Sequence, residues 1–197
     1  MLLNRFEKAM MLNPVRALIQ RHYEAAVLEK LGGRARGQRV LEVGCGSGRG
    51  VQVLLERFGA SEVDAFDLDP HMVTLARRRL APERDRVHLW QGSVTEIRAG
   101  DASYDAVFDF GILHHVPDYR RALSEIFRVL RPGGRFFAEE VLERFIVHPV
   151  WRTLLDHPQR DRFDRTGFVA ALESTGFVVR ASQELLGAFA WFVADKP

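Results

Sequence analysis

Short apolar runs alternate along the chain with segments whose apolar residues recur every three or four positions. A short apolar run is typical of a strand buried on both faces of a parallel sheet, and the wider spacing is typical of an amphipathic helix. The first strand is predicted at 40–43, and a helix follows from about 49 to 58, with Gly59 as its stop. The alternation predicts an α/β fold in which helices cover a parallel sheet.

The same pattern continues to the end of the chain. Further strands are predicted at 63–67, 87–90, 106–110, 135–141, 177–181 and 189–194. Helices are predicted from Pro70, over 119–130, and over 168–175 with Thr166 as the N-cap. A short connection around Gly187 favours an antiparallel hairpin for the last two strands. Residues 142–165 break the pattern and are interpreted as a substrate-facing insertion.

Three glycines, Gly44, Gly46 and Gly48, follow the first strand and open the next helix. Such a turn lets backbone N–H groups approach a ligand closely, which predicts a cradle for a small molecule. A dinucleotide turn has the pattern G-x-G-x-x-G. Here the third position of that pattern is Arg49 and the glycine falls one residue early, which argues against an oxidoreductase.

Two carboxylates lie where the first two strands end. Glu42 precedes the first glycine by two residues, where it would repel a pyrophosphate and attract an ammonium or sulfonium cation. Asp67 ends the second strand, 19 residues beyond Gly48, where a ribose diol is usually bound. A ligand with a cationic amino-acid end and a ribose is S-adenosylmethionine (SAM).

The chain resembles the class I SAM-dependent methyltransferases over about residues 38–197, and is most similar to the branch that includes the ubiquinone and menaquinone methyltransferases. The resemblance is carried by Glu42 to Gly48, Phe66 to Met72, Tyr104 to Asp118, and Leu130 to Gly134. It implies a Rossmann-like, doubly wound, seven-stranded sheet in the order 3-2-1-4-5-7-6 with strand 7 antiparallel. It also implies SAM as the cofactor.

The resemblance further implies the residues that contact SAM. They are Glu42, Gly44, Cys45, Gly46, Gly48, Asp67, Leu68, Met72, Ser93, Val94 and Phe110. Members of the family commonly have Gly-Asp-Ala where this chain has Gly92-Ser93-Val94, so Ser93 would accept the bond from the adenine amine without a charge. Cys45, the only cysteine, is interpreted as a small buried side chain without a catalytic role.

Methyl transfer from a sulfonium is an in-line displacement that mainly needs positioning, and a general base is needed only for an acceptor that bears a proton. The candidate bases near the ends of the fourth and fifth strands and in the insertion are His114, His115, Glu139, Glu140 and His148. The alternative for the histidines is that they satisfy local backbone groups. The alternative for the two acids is that they bind backbone amides or arginines.

Composition and charge restrict the other possibilities. A chain of 197 residues, 47% apolar and 27% charged, is expected to form one domain at 38–197 with an N-terminal helical extension at 1–37. The single cysteine excludes a disulfide framework, and no metal-ligand spacing is present. No leader and no long apolar run is recognised, so a cytoplasmic protein without transmembrane segments is expected.

The N-terminal helix is predicted from Pro14, with Asn13 as its cap, to Leu31. Residues 1–39 carry eight Lys or Arg against three Glu, a net charge of +5. The apolar stripe that is expected to pack on the domain comprises Val15, Leu18, Ile19, Ala25, Ala26 and Leu28. The basic face is interpreted as solvated. The alternatives are that the helix forms a lid over the substrate or contacts an anionic surface.

Three classes of function remain open: a small-molecule methyltransferase, a nucleic-acid (RNA) methyltransferase, and a SAM-binding protein without turnover. No stable nucleic-acid complex is expected, and the oligomeric state stays open. The acceptor is predicted to be small and partly apolar, with an anionic or hydroxyl group. That prediction rests on a mixed lining of Phe110, Phe145, Trp151, Phe163, Arg144, Arg152, His148 and His157.

Overall fold

The protein folds around one seven-stranded sheet, seen in a computed structural model that describes residues 12–146 and 162–197. The strands are β1 (Arg39–Val43), β2 (Glu62–Asp67), β3 (Val87–Gln91), β4 (Tyr104–Phe110), β5 (Leu130–Val141), β6 (Val178–Leu185) and β7 (Phe189–Asp195). Their order is β3-β2-β1-β4-β5-β7-β6, and β7 is antiparallel to both of its neighbours while the other pairs are parallel. The predicted fold class, strand order and antiparallel strand 7 are confirmed.

The helices cover both faces of the sheet. They are α1 (Pro14–Ile19), α2 (Ala25–Gly32), α3 (Arg49–Val53), α4 (Pro70–Arg79), α5 (Tyr119–Val129), α6 (Glu143–Ile146) and α7 (Arg165–Thr175). Two π-helical segments join them, Gln20–Glu24 between α1 and α2, and Leu54–Phe58 after α3. None of the helices within the described ranges is long and apolar enough to cross a bilayer.

Local side-chain caps explain where several helices begin. The Asn13 carboxamide accepts from the Val15 N–H at 2.8 Å, and Asp69 accepts from the His71 N–H at 2.9 Å. The last helix begins three residues earlier than predicted, because the Asp164 carboxylate accepts from the Gly167 N–H at 2.7 Å. The predicted Thr166 cap is therefore wrong, and the side chain of Asp164 caps the helix.

Two apolar layers hold the sheet between the helices. Leu123 and Phe168 pack on one face, while Leu28, Leu54 and Phe58 pack on the other, and all five are fully buried. A fully buried leucine or phenylalanine stabilises a fold by about 1.5–3 kcal/mol relative to its exposed state. The carboxyl ends of β1, β2 and β4 are thereby held at one edge, where the predicted site residues lie.

The N-terminal helix differs from its predicted stripe. Ala25 and Leu28 are buried as expected, but Val15, Leu18 and Ile19 are 60%, 58% and 45% exposed. The cause is the wide turn at Gln20–Glu24, because a π-helical turn accommodates one more residue than an α-turn and rotates the preceding residues about the axis. The inward side of α1 therefore does not continue the inward side of α2.

The predicted acceptor lining is only partly described. His148, Trp151, Arg152 and His157 lie outside the described residues. Phe163 is buried against Tyr119 and Phe168 and so belongs to the core, with ring centroids at 4.9 and 4.6 Å.

Candidate functional site

A cavity of about 380 Å³ opens at the carboxyl ends of β1, β2 and β4, beneath α1. This volume lies within the range of about 300–1,000 Å³ that is usual for small-molecule sites. Ten of the predicted cofactor contacts line it: Glu42, Gly44, Cys45, Gly46, Asp67, Leu68, Met72, Ser93, Val94 and Phe110. The eleventh, Gly48, does not line the cavity but shapes its rim.

The backbone of the glycine turn packs so tightly against neighbouring side chains that two of its positions have no space for a Cβ atom. Gly44 has φ +69°, and a Cβ there would lie 2.6 Å from the Ile112 side chain. Gly48 has φ +82°, and a Cβ there would lie 2.8 Å from the Leu80 side chain. Both positions therefore combine a left-handed backbone with close packing, which glycine alone tolerates readily.

Glu42 is the buried carboxylate at the end of β1. The residue is 2% exposed, and its Oε2 has no hydrogen-bond partner among the described residues. Burial, reinforced by Asp67 and Asp109, raises the pKa of Glu42 well above its usual range. A buried carboxyl group without a partner is costly, so this oxygen fits a ligand that brings a cation or a hydrogen-bond donor. The amino-acid end of SAM has both.

Asp67 orients the glycine turn from the end of β2. Its Oδ2 accepts from the Gly46 N–H at 2.8 Å, and its Oδ1 accepts from the Asp69 N–H at 2.8 Å. The carboxylate is thus held by backbone groups while it also lines the cavity. The ribose contact of Asp67 stays a prediction.

The predicted base contact lies beyond β3. Ser93 lines the cavity, and its hydroxyl exchanges a hydrogen bond with the Thr95 hydroxyl at 2.8 Å. Leu68 and Met72 border the same side, and Leu68 is 42% exposed. The group there is a neutral hydroxyl beside apolar walls, as the sequence indicated.

Of the candidate bases, His115 lines the cavity. It ends the 3₁₀ turn Leu113–His115, and its backbone N–H donates to the Ile112 carbonyl at 3.0 Å. The sequence prediction placed His114, Glu139 and Glu140 beside it, but these three residues are not part of the cavity wall. Among the predicted bases that the structure describes, His115 alone therefore lines the cavity.

Glu140 holds the loop that carries the histidines. Its carboxylate accepts from the N–H groups of Leu113 at 2.9 Å and His114 at 3.2 Å, and pairs with His114 Nδ1 at 2.6 Å. Burial raises the pKa of Glu140 to about 7, although these bonds oppose the shift. Asp109 is fully buried, and its pKa is raised well above the usual range by burial and by the charge of Glu140.

Glu139 belongs to a buried cluster with two residues of the N-terminal helical segment. Arg16 donates from Nη1 to Glu24 and from Nη2 to Glu139, the latter at 3.1 Å. Burial raises the pKa of both acids, and the guanidinium opposes that shift. These contacts bind β5 to the segment that covers the cavity.

Arg16 and Gln20 are cavity-lining residues that the sequence analysis missed. Arg16 and Gln20 are four positions apart, so two polar residues at helical spacing were the available signal. The interpretation of the basic residues as solvated concealed it. Arg16 is instead largely buried, with 27% of its side chain exposed.

Part of the chain is similar in sequence to known methyltransferases. Residues 40–134 match a family described as the methyltransferase domain. A probable S-adenosylmethionine-dependent methyltransferase of Mycolicibacterium smegmatis is 33% identical over 163 residues, which is 83% of this chain and 60% of the relative. A fatty-acid O-methyltransferase of the same organism is 35% identical over 123 residues, 62% of this chain and 44% of the relative. The chain therefore spans less than two thirds of the length of these relatives.

Solved structures share the fold. A SAM-dependent methyltransferase from Aquifex aeolicus superposes with a TM-score of 0.75 at 18% identity, covering 97% of each chain. Its sequence similarity is low, so the comparison concerns the fold alone. Residues 40–134, just under half of the chain, are thus similar to a methyltransferase domain, and the whole chain shares its fold with a solved SAM-dependent methyltransferase.

Proposed function

We propose that the protein transfers a methyl group from SAM to a small, largely apolar acceptor that carries a hydroxyl or carboxyl group. The observation that carries the proposal is the buried Glu42 carboxyl group, which lines a glycine-rich cavity and has one oxygen without a partner among the described residues. A group of this kind matches a cationic cofactor and would disfavour a pyrophosphate.

The binding roles follow from the positions of the side chains. Glu42 would hold the cationic amino-acid end and Asp67 the ribose. Ser93 and Val94 would border the base. SAM supplies an electrophilic methyl group on a positively charged sulfur. We also propose that α1, as part of an extension over residues 1–37, covers the site in the domain at 38–197 and excludes water from it.

The acceptor class follows from the rest of the lining. Leu12, Phe110 and Ile112 provide apolar walls, and Arg16 and Gln20 provide polar groups at one side. Such a wall suits an apolar body whose single polar group is held in a fixed orientation. A fatty-acid O-methyltransferase is among the relatives, and quinols, the acceptor type of the ubiquinone and menaquinone branch, are also apolar and hydroxylated.

His115 is the proposed general base. It lines the cavity, and imidazole accepts a proton near neutral pH, so it could remove the proton from an acceptor hydroxyl. Glu140 is a positioning residue in this proposal, because its bonds to Leu113 and His114 fix the turn that ends at His115. His148 remains a predicted base that lies outside the described residues.

The nucleic-acid alternative receives less support. Among the described residues, the cavity is lined by the four acids Glu42, Asp67, Asp69 and Asp118 and by the two arginines Arg16 and Arg49. An acid-rich wall repels a phosphate backbone. No feature of the described residues specifically favours RNA.

Two measurements test the proposal. Calorimetry should show binding of SAM and none of NAD, and Glu42→Gln should weaken SAM binding. Labelled SAM should then transfer its methyl group to fatty acids or phenols rather than to amines or RNA. His115→Gln should reduce turnover while it leaves SAM affinity intact. Binding of NAD but not of SAM, or methylation of RNA alone, would contradict the proposal. Full turnover by His115→Gln would show that His115 is not the general base.

A further inference from the structure

Arg49 joins the glycine turn to the segment that covers the cavity. It is the first residue of α3, directly after Gly48, and it lines the cavity. Its Nη2 donates to the backbone carbonyl of Leu12 at 3.0 Å, and its Nη1 donates to that of Asn13 at 3.3 Å. Both carbonyls lie just before α1 begins at Pro14, so the arginine side chain holds the start of this helix.

The guanidinium of Arg49 has N–H groups that these two bonds do not use. An arginine side chain has five N–H groups, and here Nε is buried without a hydrogen-bond partner among the described residues. Within 12–146 and 162–197, no carboxylate lies at ion-pair distance from this guanidinium. A carbonyl oxygen accepts a hydrogen bond but carries no net charge. The positive charge of Arg49 at the cavity wall is therefore not paired with an acid of the described chain.

Arg16, which also lines the cavity, differs in this respect. Its Nη1 donates to Glu24 and its Nη2 donates to Glu139, the latter at 3.1 Å. Because two carboxyl groups already surround it, Arg16 attracts a further anion less strongly. Of these two arginines, Arg49 is thus the one that suits an anionic group of a ligand.

Glu42 lies near Arg49 in the fold without pairing with it. A Cβ at Gly50, the next residue, would lie 2.0 Å from Glu42 Oε1, so the Glu42 carboxyl group packs against the backbone beside Arg49. No ion pair joins the two side chains, and Glu42 Oε2 has no hydrogen-bond partner in the described part of the chain. The cavity therefore has a carboxyl group and a guanidinium in its wall, which suits a ligand end that carries both a cation and a carboxylate.

We propose that Arg49 binds the carboxylate of the amino-acid end of SAM and thereby holds α1 over the cavity. The inference rests on the proposed function, because it concerns the same cofactor. A planar guanidinium that is held by a carboxylate has a fixed orientation, and this orientation also directs its N–H groups at Leu12 and Asn13. The coupling is reciprocal, so SAM stabilises the position of α1, and α1 raises the affinity for SAM. Donor binding then completes the wall that Leu12, Arg16 and Gln20 form.

The first test compares SAM with decarboxylated SAM, which keeps the sulfonium, the amino group and the nucleoside but lacks the carboxylate. In calorimetry, the wild-type chain should bind SAM about 10- to 100-fold more tightly than decarboxylated SAM, because a hydrogen bond between charged groups contributes a factor of this size. Arg49→Gln should bind the two ligands about equally. A loss of fold cannot imitate this result, since it would weaken both ligands alike.

The matched control is Arg57→Gln. Arg57 also donates to a backbone carbonyl of the N-terminal segment, that of Arg21 at 3.4 Å, but it does not line the cavity. This variant should keep the wild-type ratio of the two affinities.

Hydrogen exchange of the backbone amides over 12–24 tests the coupling to α1. SAM should slow this exchange several-fold in the wild-type chain, decarboxylated SAM should slow it less, and neither ligand should do so in Arg49→Gln. An unchanged affinity ratio in Arg49→Gln, or equal protection of α1 by both ligands in the wild type, would overturn the inference and leave the proposed function intact. A wild-type chain that binds no SAM would instead overturn the proposed function, and the inference with it.

Discussion

Gly50 tests the placement of Glu42 more sharply than a substitution of Glu42 itself. It is the second residue of α3 and has no unusual backbone angle, so alanine would fit its conformation. A Cβ at this position would nevertheless lie 2.0 Å from Glu42 Oε1 and 2.9 Å from the Phe110 ring. Because non-bonded atoms need more than 3 Å, Gly50→Ala must displace the Glu42 carboxyl group by about 1 Å.

Two contributions to the free energy of unfolding of Gly50→Ala oppose each other. Alanine is favoured over glycine inside a helix by about 1 kcal/mol, whereas overpacking costs about 1–3 kcal/mol. Gly50→Ala should therefore change the free energy of unfolding by between about 0 and 2 kcal/mol in the destabilising direction. Binding should suffer more, because a charged hydrogen bond contributes about 1.5–3 kcal/mol. The affinity for SAM should fall about 10- to 100-fold.

A double-mutant cycle with Glu42→Ala is the assay, with denaturant unfolding and calorimetry on all four proteins. In the Glu42→Ala background the carboxyl group is absent, so Gly50→Ala should cost less there, with a coupling of about 1–2 kcal/mol in stability. Effects that add within about 0.5 kcal/mol, or undiminished SAM affinity in Gly50→Ala, would refute the reasoning.

Three further predictions concern charge. The ligand-free Glu42 carboxyl group is protonated below its raised pKa, so SAM affinity should rise with pH and SAM binding should release a proton. Calorimetry in buffers of different ionisation enthalpy measures the proton release, and Glu42→Gln should abolish this release. Asp67→Ala removes the acceptor of two backbone N–H groups, which should cost about 1–3 kcal/mol and weaken SAM binding, and a calorimetric trace equal to wild type would contradict the assignment. Arg16→Gln leaves Glu24 and Glu139 buried without their cation and should destabilise the fold towards the lower end of about 3–5 kcal/mol. The pKa values of these acids are raised in the folded state, so stability falls as pH rises above their unfolded values, and the loss in Arg16→Gln should be larger at pH 8 than at pH 5. A loss that does not depend on pH would contradict this account.

The glycine-rich side of the cavity could be predicted because its signals are local. The apolar run before Gly44 fixes a buried strand, and the carboxyl ends of adjacent parallel strands meet at one edge. Glu42 and Asp67 therefore come together whatever the helices do. The register of β1 against β2 pairs Val43 with Phe66, directly before the two loops that carry this chemistry.

The side of the cavity beneath α1 depends on contacts that no short pattern encodes. Arg16 donates to Glu139, which lies 123 positions further along the chain. From the sequence alone, a single arginine on a basic helix is expected to be solvated. The sequence does not distinguish the two adjacent histidines. In the structure, Glu140 binds His114, and His115 lies at the cavity wall. The role of each of these side chains depends on partners that are distant in the sequence, and a local pattern contains no information about them.

The π-helical turn at Gln20–Glu24 has a consequence for how this protein can change. A π-helical turn differs from an α-helical turn by one extra residue, so deletion of one residue within 20–24 would leave a regular turn and keep residues 12–19 in nearly the same orientation against the domain. Arg16 would then stay at the cavity, and the glycine turn, Glu42 and Asp67 would keep their sequence. This turn is therefore a point at which the chain can lose one residue while the lining of the cavity is retained.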